Sequence, residues 1–314
     1  MEAKQAQGVV LSELEQADVP ETARVCMEAF NTLHYKNLGR HLDFGLFESA
    51  LGFHQALASH PKVYGVVARN AEGRIVGSNF LDQRGEVASV GPISVDPNTQ
   101  ATGVGRALMQ AVIDKGVKDG HKSIRLVQEA YNLVSFSLYV KLGFDPKDQL
   151  NFFMGRCAED WPEPKLKLVI RPMTADDLAA CAALHKRVVG VEREQDLAEC
   201  LSSVWSTYHD EPLVAVEEGS ERLVGYATSV TLPGHSVGEC DEVVARLHFK
   251  MTRRVSSGRN DDSVLLKVIG RLSPALVKWA LTGGGLRLQR SATLMALGAY
   301  SDPVDGVYVP SIGY

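Results

Sequence analysis

At 314 residues the chain is long enough for two domains of ordinary size, and 45% hydrophobic with 23% charged residues is the profile of a globular protein in water. A net charge of −5, spread without long blocks, argues against a nucleic-acid protein and is compatible with an acidic pocket for a cationic substrate. The five cysteines, Cys26, Cys157, Cys181, Cys200 and Cys240, are scattered and odd in number with no Cys-x-x-Cys, which argues against a disulfide framework and a zinc site, so no metal is expected. No apolar leader follows Met1 and no run approaches the ~18 apolar residues of a membrane span, so the expectation is a cytoplasmic enzyme with no membrane partner.

Leu11 to Val19 reads as a strand, a polar turn with Asp18 near a helix start, and a helix. The region from Phe30 to His60 carries His34, Tyr35, His41, Phe44, Phe47, Phe53 and His54. These suit an aromatic-lined pocket with titratable rims, or simply the core face of amphipathic helices. Val63 to Ala68 and Ile75 to Leu81 form a hairpin around Gly73. Val90 to Val95 is a further strand. Its Pro92 cannot donate to a ladder, so it marks a bulge or an edge and leaves the N–H and C=O groups of Ile93 and Val95 open for pairing.

Next comes Gln100-Ala101-Thr102-Gly103-Val104-Gly105, which opens a helix with Val104, Ala107, Leu108, Ala111 and Val112 on one face. Backbone N–H groups at a helix N-terminus favour an anion, and two glycines admit it without a Cβ in the way. No lysine follows the glycines (Arg106 does), which excludes a P-loop. Leu108 stands where a dinucleotide fingerprint needs its third glycine. What remains is Gln/Arg-x-x-Gly-x-Gly/Ala between strand and helix. A strand over Ser123 to Val127, then Asn132, then Tyr139-Val140-Lys141-Leu142-Gly143-Phe144 complete the pattern.

Both halves together resemble the GNAT superfamily of acyl-CoA-dependent N-acyltransferases, over about residues 9–157. The resemblance implies an α+β fold with a mixed, mostly antiparallel sheet flanked by helices, and acetyl-CoA as acyl donor. It assigns the cofactor to Ile93, Ser94, Val95, Gln100, Ala101, Thr102, Gly103, Val104, Gly105, Arg106, Asn132 and Ser135. The loop takes the pyrophosphate, the preceding strand pairs with the pantetheine arm, and an N–H near Val95 serves as oxyanion donor. Tyr139 is the implied general acid, since a phenol of reference pKa about 10 can protonate a departing thiolate. Asn132 also sits where a helix N-cap belongs, and both roles are compatible. The general base stays open. Ser89 occupies the position at which some members of the family carry a glutamate, Glu86 lies three residues earlier, and a water relay or the carboxylate of Tyr314 on a docked tail are the other candidates.

After the linker-like Ala158 to Lys165, with two prolines, the chain starts again. Ile170 to Leu178 matches Leu11 to Val19, Glu221-Arg222-Leu223-Val224-Gly225 matches Gly73 to Gly77, and Leu213 to Val216 with Leu223 to Thr231 would close a second hairpin. Tyr139 to Phe144 and the strand Asn151 to Met154 compare with Trp279 to Gly283 and the strand Ala292 to Leu297. The expectation is therefore two tandem GNAT folds: residues 1–157 with the acetyl-CoA site, a linker over 158–167, and a degenerate copy over 168–314. The second copy has no glycine loop opening a helix: Ser256 to Asn260 is one turn, Gly283-Gly284-Gly285 follows a helix, and Trp279 replaces the tyrosine. Lys250, Arg253 and Arg254 read as a solvated helix face. The reading is an acetyl-CoA-dependent N-acetyltransferase acting on a primary amine of a small molecule or peptide, with a non-catalytic acyl-CoA sensor as the alternative and a homodimer left open.

Overall fold

The computed structural model describes residues 8–43, 45–99, 103–201, 211–255 and 264–313. Gln100, Ala101, Thr102, Tyr314, Phe44 and Ser256 to Asn260 therefore lie outside the described residues. The chain divides into two compact units: Met1–Leu126 with Tyr131–Phe144, and Val127–Ala130 with Asp145–Tyr314.

The first unit contains β1 (Val10–Glu13), α1 (Val19–Leu38), α2 (Phe47–Ser59), β2 (Val63–Arg69), β3 (Ile75–Asp82), β4 (Ala88–Val90), β5 (Ser94–Val95), α3 (Val104–Lys118), β6 (Ser123–Glu129) and α4 (Leu133–Lys141). The strand order is β1-β2-β3-β4-β6, antiparallel except for β4 beside β6, with β5 on β3. The expected first hairpin is present, with Val63 opposite Asp82 and Ala68 opposite Gly77. Helix α3 lies on the face of β3 that carries Gly77 and Asn79. A Cβ on Gly77 would come within 3.3 Å of Val104 and 3.0 Å of Leu108, so glycine lets the helix settle onto the strand. On the other face, α1 and α2 cover Phe80, against whose ring His54 stands edge-on at 5.4 Å.

The second unit contains β7 (Asp145–Gly155), β8 (Leu168–Pro172), α5 (Leu178–Val189), α6 (Glu194–Cys200), β9 (Leu213–Glu217), β10 (Leu223–Ala227), β11 (Ser236–Gly238), α7 (Asp241–Val255), β12 (Val264–Ile269), α8 (Pro274–Leu281), β13 (Arg287–Gly298) and β14 (Val307–Val309). One sheet runs β14-β11-β10-β9-β8, and β7 pairs with both β13 and β12. The end of β6 counts with this unit, where the Ala130 N–H donates to the Ser291 carbonyl at 3.1 Å. The second hairpin forms, but β10 stops at Ala227 rather than reaching Thr231. Thr228 turns the chain instead: its N–H donates to the His235 carbonyl and its hydroxyl accepts the His235 N–H, each at 2.9 Å. Lys267 locks this turn. It is fully buried and its ammonium donates to the carbonyls of Thr231, Leu232 and Gly234 at 2.7–2.9 Å.

The two helix starts matched in the sequence are built alike. Asp18 closes a capping box with Glu15 and takes Arg69 at 2.6 Å, and Asp177 closes one with Thr174 and takes Arg171 at 2.7 Å.

Buried histidines make stability depend on pH: His54, His248 and also His235, which burial holds well below the ordinary value. Burial pushes His54 down to about 4 and His248 down to about 3. Above the ordinary histidine value near 6.5 all three are neutral whether the chain is folded or not. As pH falls from there, the unfolded chain takes up protons that the folded chain refuses, so stability drops until the folded values are reached. Between pH 7.5 and 5 the loss is about 2 kcal/mol each for His54 in the first unit and His248 in the second. Urea unfolding at the two pH values checks this. A midpoint unchanged over the window in the native chain contradicts it, and His54→Gln should lessen the dependence.

Candidate active site

The strand leading to α3 is broken, as Pro92 requires of a bulge. Leu81 stands opposite Val90 and Ser78 opposite Ser94, so three steps along β3 match four along its partner, one residue in excess. The bulge falls at Gly91 to Ile93, with Gly91 at φ +131°, a conformation that favours glycine. Before the bulge β4 runs parallel to β6, with Ser89 opposite Arg125. Beyond it β5 pairs with β3 and, among the described residues, with no strand on its other edge. Helix α1 spans this opening. Cys26 hydrogen-bonds Ser94 on β5, while eight residues further on the His34 ring meets Tyr131, just past β6, at 6.4 Å. Eight helical residues cover about 12 Å, room for two interstrand spacings and hence for one extended arm between β5 and the far side.

The opening leads to the N-terminus of α3. Asp96, buried, accepts the Asn98 N–H at 2.9 Å and shapes the turn before the loop. Gly103 occupies the N-cap in the left-handed region at φ +88°. The N-cap glycine offers no side chain to cap the helix, its first turn holds no acidic residue, and Lys115 and Lys118 sit in its last turn. The N–H groups of the first turn therefore face outward with the positive end of the helix dipole. Gly105 has ordinary space: a Cβ there would meet Leu138 and Val95 at 3.7 Å. Packing within the protein does not demand glycine at this position. Arg106 is exposed beside it.

On α4, Asn132, Ser135 and Tyr139 share one face by their spacing. Asn132 is the N-cap and accepts the Ser135 N–H at 3.2 Å. The Ser135 side chain hydrogen-bonds Tyr139, whose phenol is buried and pushed up to about 12 by that burial. The Gly-Phe of the motif ends the helix. Gly143 has φ +95°, the Phe144 N–H donates to the Tyr139 carbonyl at 3.0 Å, and the rings of Tyr139 and Phe144 lie 6.2 Å apart. The motif thus fixes the tyrosine through its own main chain.

The base candidates are not brought together. Ser89 is half-buried on β4 just before the bulge. Glu86 is exposed ahead of β4, and its carbonyl lies 3.2 Å from Nδ1 of His121, past the C-terminal end of α3. That end is about 22 Å from the N-terminus of the helix. Among the aromatic and histidine residues of α1 and α2, His54 is core, its Nδ1 2.9 Å from the Ala50 carbonyl. Tyr35 is exposed and stacks on His41 at 5.7 Å. His34 is buried with its Nε2 3.4 Å from an Asp43 carboxylate oxygen. Aspartate orders a histidine here that nothing in the sequence orders, because the partners are joined by a turn after α1 and not by a motif.

Among its described residues the second unit has no such helix N-terminus. Asp241 and Glu242 occupy the first turn of α7, and Glu239 precedes it, paired with Arg187 and Arg222. The Glu242 carboxylate itself accepts the N–H groups of Lys165 and Leu166 at 3.1 and 3.0 Å. Trp279, in place of the tyrosine, has no hydroxyl, and its indole N–H points at the Asp160 carbonyl at 3.4 Å. Lys250 and Arg253 are exposed, Arg253 lying over the Phe249 ring; the side chain of Arg254 lies outside the described residues.

Residues 28–144 match the model of the acetyltransferase (GNAT) family. The chain is 37% identical over 79 residues to a mycothiol acetyltransferase of Clavibacter sepedonicus, covering 25% of this chain and 26% of that one. A second, of Clavibacter michiganensis subsp. michiganensis, is 35% identical over a stretch of the same length. The matched stretch spans about a quarter of the length of these relatives. Among solved structures, a putative acetyltransferase from Pyrococcus horikoshii superposes with a TM-score of 0.70 at 15% identity, covering 98% of this chain and 96% of that one. A tandem GNAT protein from the clavulanic acid biosynthesis pathway superposes with 0.57 at 13% identity, covering 94% and 100%. No described helix is long and apolar enough to cross a membrane. Residues 28–144 thus match the GNAT acetyltransferase family, and the chain as a whole has the fold of the GNAT proteins it superposes on.

Proposed function

We propose that the chain is an N-acetyltransferase that moves the acetyl group of acetyl-CoA directly to a primary amine of a small molecule or peptide. As sequence repeats, residues 1–157 would form the catalytic copy, 158–167 the linker and 168–314 the degenerate copy, while Val127–Ala130 and Asp145–Gly155 count with the second compact unit. The observation that carries the reading is the conjunction of a helix N-terminus at Gly103 to Arg106 whose N-cap has no side chain with an edge of β5 that, among the described residues, pairs with no strand. In this reading the α3 amides hold the diphosphate, with Gln100 to Thr102 contributing from the loop. The free edge of Ile93 to Val95 pairs with the pantetheine arm and presents an N–H to the developing oxyanion. Asn132 and Ser135 line the arm, and Tyr139 returns the proton to the thiolate. Ser89 stands where a water could be held to take the amine's proton. Glu86, displaced toward the far end of α3, has no part in it.

An acetyl-CoA-dependent thiol-release assay across small amines, polyamines, amino acids and peptide N-termini tests this. Thiol release that depends on an amine is the result expected. Tight coenzyme A binding with no release under any acceptor would replace this reading with the sensor.

A further inference from the structure

In the second unit the place of the pantetheine arm is taken by the chain's own strand β14. The sequence match of Ile75-Val76-Gly77 with Leu223-Val224-Gly225 sets β10 against β3. Gly77 pairs with Val95 on β5, and Gly225 pairs with Gly238 on β11. Each glycine lies beneath the first turn of the following helix, where a Cβ would strike Val104 of α3 in one unit and Val243 of α7 in the other. Thus β11 stands where β5 stands. Its outer edge is occupied: Ser236 pairs with Val309, Val237 with Tyr308 and Gly238 with Val307. Strand β14 also lies beside β12, the counterpart of β6.

The occupant is held by side chains as well as by its ladder. Arg193, buried and paired with Asp196 at 2.6 Å, donates to the Tyr308 hydroxyl and to Ser311 Oγ, each at 3.2 Å. The His185 ring meets the Tyr308 ring edge-on at 5.7 Å. The Ile312 N–H donates to the Leu232 carbonyl at 3.0 Å. At Gly306 a Cβ would come within 2.7 Å of the Gly238 carbonyl oxygen, so the segment enters where only glycine passes. Main-chain pairing with a pocket for an alternate side chain is how extended peptides are recognised.

We propose that the second unit is a strand-binding site for an extended peptide of Tyr-x-x-Ser pattern, filled in this chain by Val307 to Ser311. The arm-binding edge has been kept, and the acidic start of α7 excludes the diphosphate, so the ligand class has changed from acyl-CoA to peptide. The inference uses the reading of the first unit only to identify the corresponding edge.

The test is made on the whole chain with a protease site inserted between Asp302 and Pro303, in the loop before β14. After cleavage, residues 303–314 should remain bound through gel filtration. An excess of synthetic peptide 303–314 should displace them, and the same peptide with Tyr308→Ala should compete at least tenfold less well. Coenzyme A binding should stay at one per chain before and after displacement. Loss of the segment without change in circular dichroism, equal competition by both peptides, or a rise to two coenzyme A per chain would each overturn the proposal. No coenzyme A bound at either stage would instead count against the first-unit reading and leave the peptide result to decide this one. If the cleaved protein unfolds, hydrogen exchange on the uncleaved Arg193→Met variant decides. Amides of Val307 to Val309 should exchange at least tenfold faster than in the native chain with β9 unchanged, and equal protection would overturn it.

Discussion

Gly105→Glu is expected to weaken coenzyme A binding by at least about 100-fold while leaving the protein as stable as before, or more stable by about 1 kcal/mol. The two effects have opposite signs because they come from the same place. A glutamate in the first turn of α3 replaces a residue poorly suited to a helix and sets a negative charge against the positive end of the dipole. Its Cβ has ordinary room, 3.7 Å from Leu138 and Val95. The same carboxylate fills the space a diphosphate would use and repels it in a site where backbone amides are the attraction. Gly103 is a less clean target, since its φ of +88° makes any side chain costly in its own right. Thermal unfolding and a coenzyme A titration on the same sample read both effects. Loss of binding accompanied by loss of fold, or retention of both, goes against the cradle.

Tyr139→Phe is expected to lower kcat by about 100-fold, in the range that a positioned general acid contributes, with coenzyme A affinity changed less than threefold. Burial keeps the phenol protonated up to about pH 12, so it holds a proton to give across any working pH. The variant keeps the ring against Phe144 and loses the hydroxyl's bond to Ser135, which costs about 1 kcal/mol of stability. The rate loss should therefore be far larger than the structural loss explains. Single-turnover rates with saturating acetyl-CoA separate the chemical step from binding. An unaltered rate removes Tyr139 from the mechanism.

Much of the first unit was legible because its signals are local. The glycines at 103 and 105, the proline at 92 and the Asn132-to-Phe144 run each encode a backbone conformation within a few residues: a left-handed N-cap, a bulge, a helix cap and a helix stop. Asn132 shows why the bland and the functional readings coexist, since its carbonyl oxygen caps α4 while its position aligns it with Ser135 and Tyr139. Pairing partners were less legible. The apolar run Phe152 to Met154 marks a strand buried on both faces at Phe152 and Phe153, not which strands lie beside it, and β7 turns out to lie between β13 and β12. The run to Thr231 looked like one strand because the polar turn that ends it depends on His235 and on Lys267, which lies 36 residues further along the chain from Thr231. Glu86 lies only three residues before Ser89 in sequence, and its carbonyl lies 3.2 Å from Nδ1 of His121, past the C-terminal end of α3. The seating of Tyr308 on Arg193, 115 residues away, has no local signature at all.

The most direct test of the central claim is calorimetric titration of the native chain with coenzyme A, alongside Gly105→Glu and Glu242→Gln. One site per chain, lost in the first variant and kept in the second, is the result expected if the start of α3 grips the diphosphate and the start of α7 does not. No heat with the native chain, or binding that survives Gly105→Glu and responds to Glu242→Gln, would contradict it.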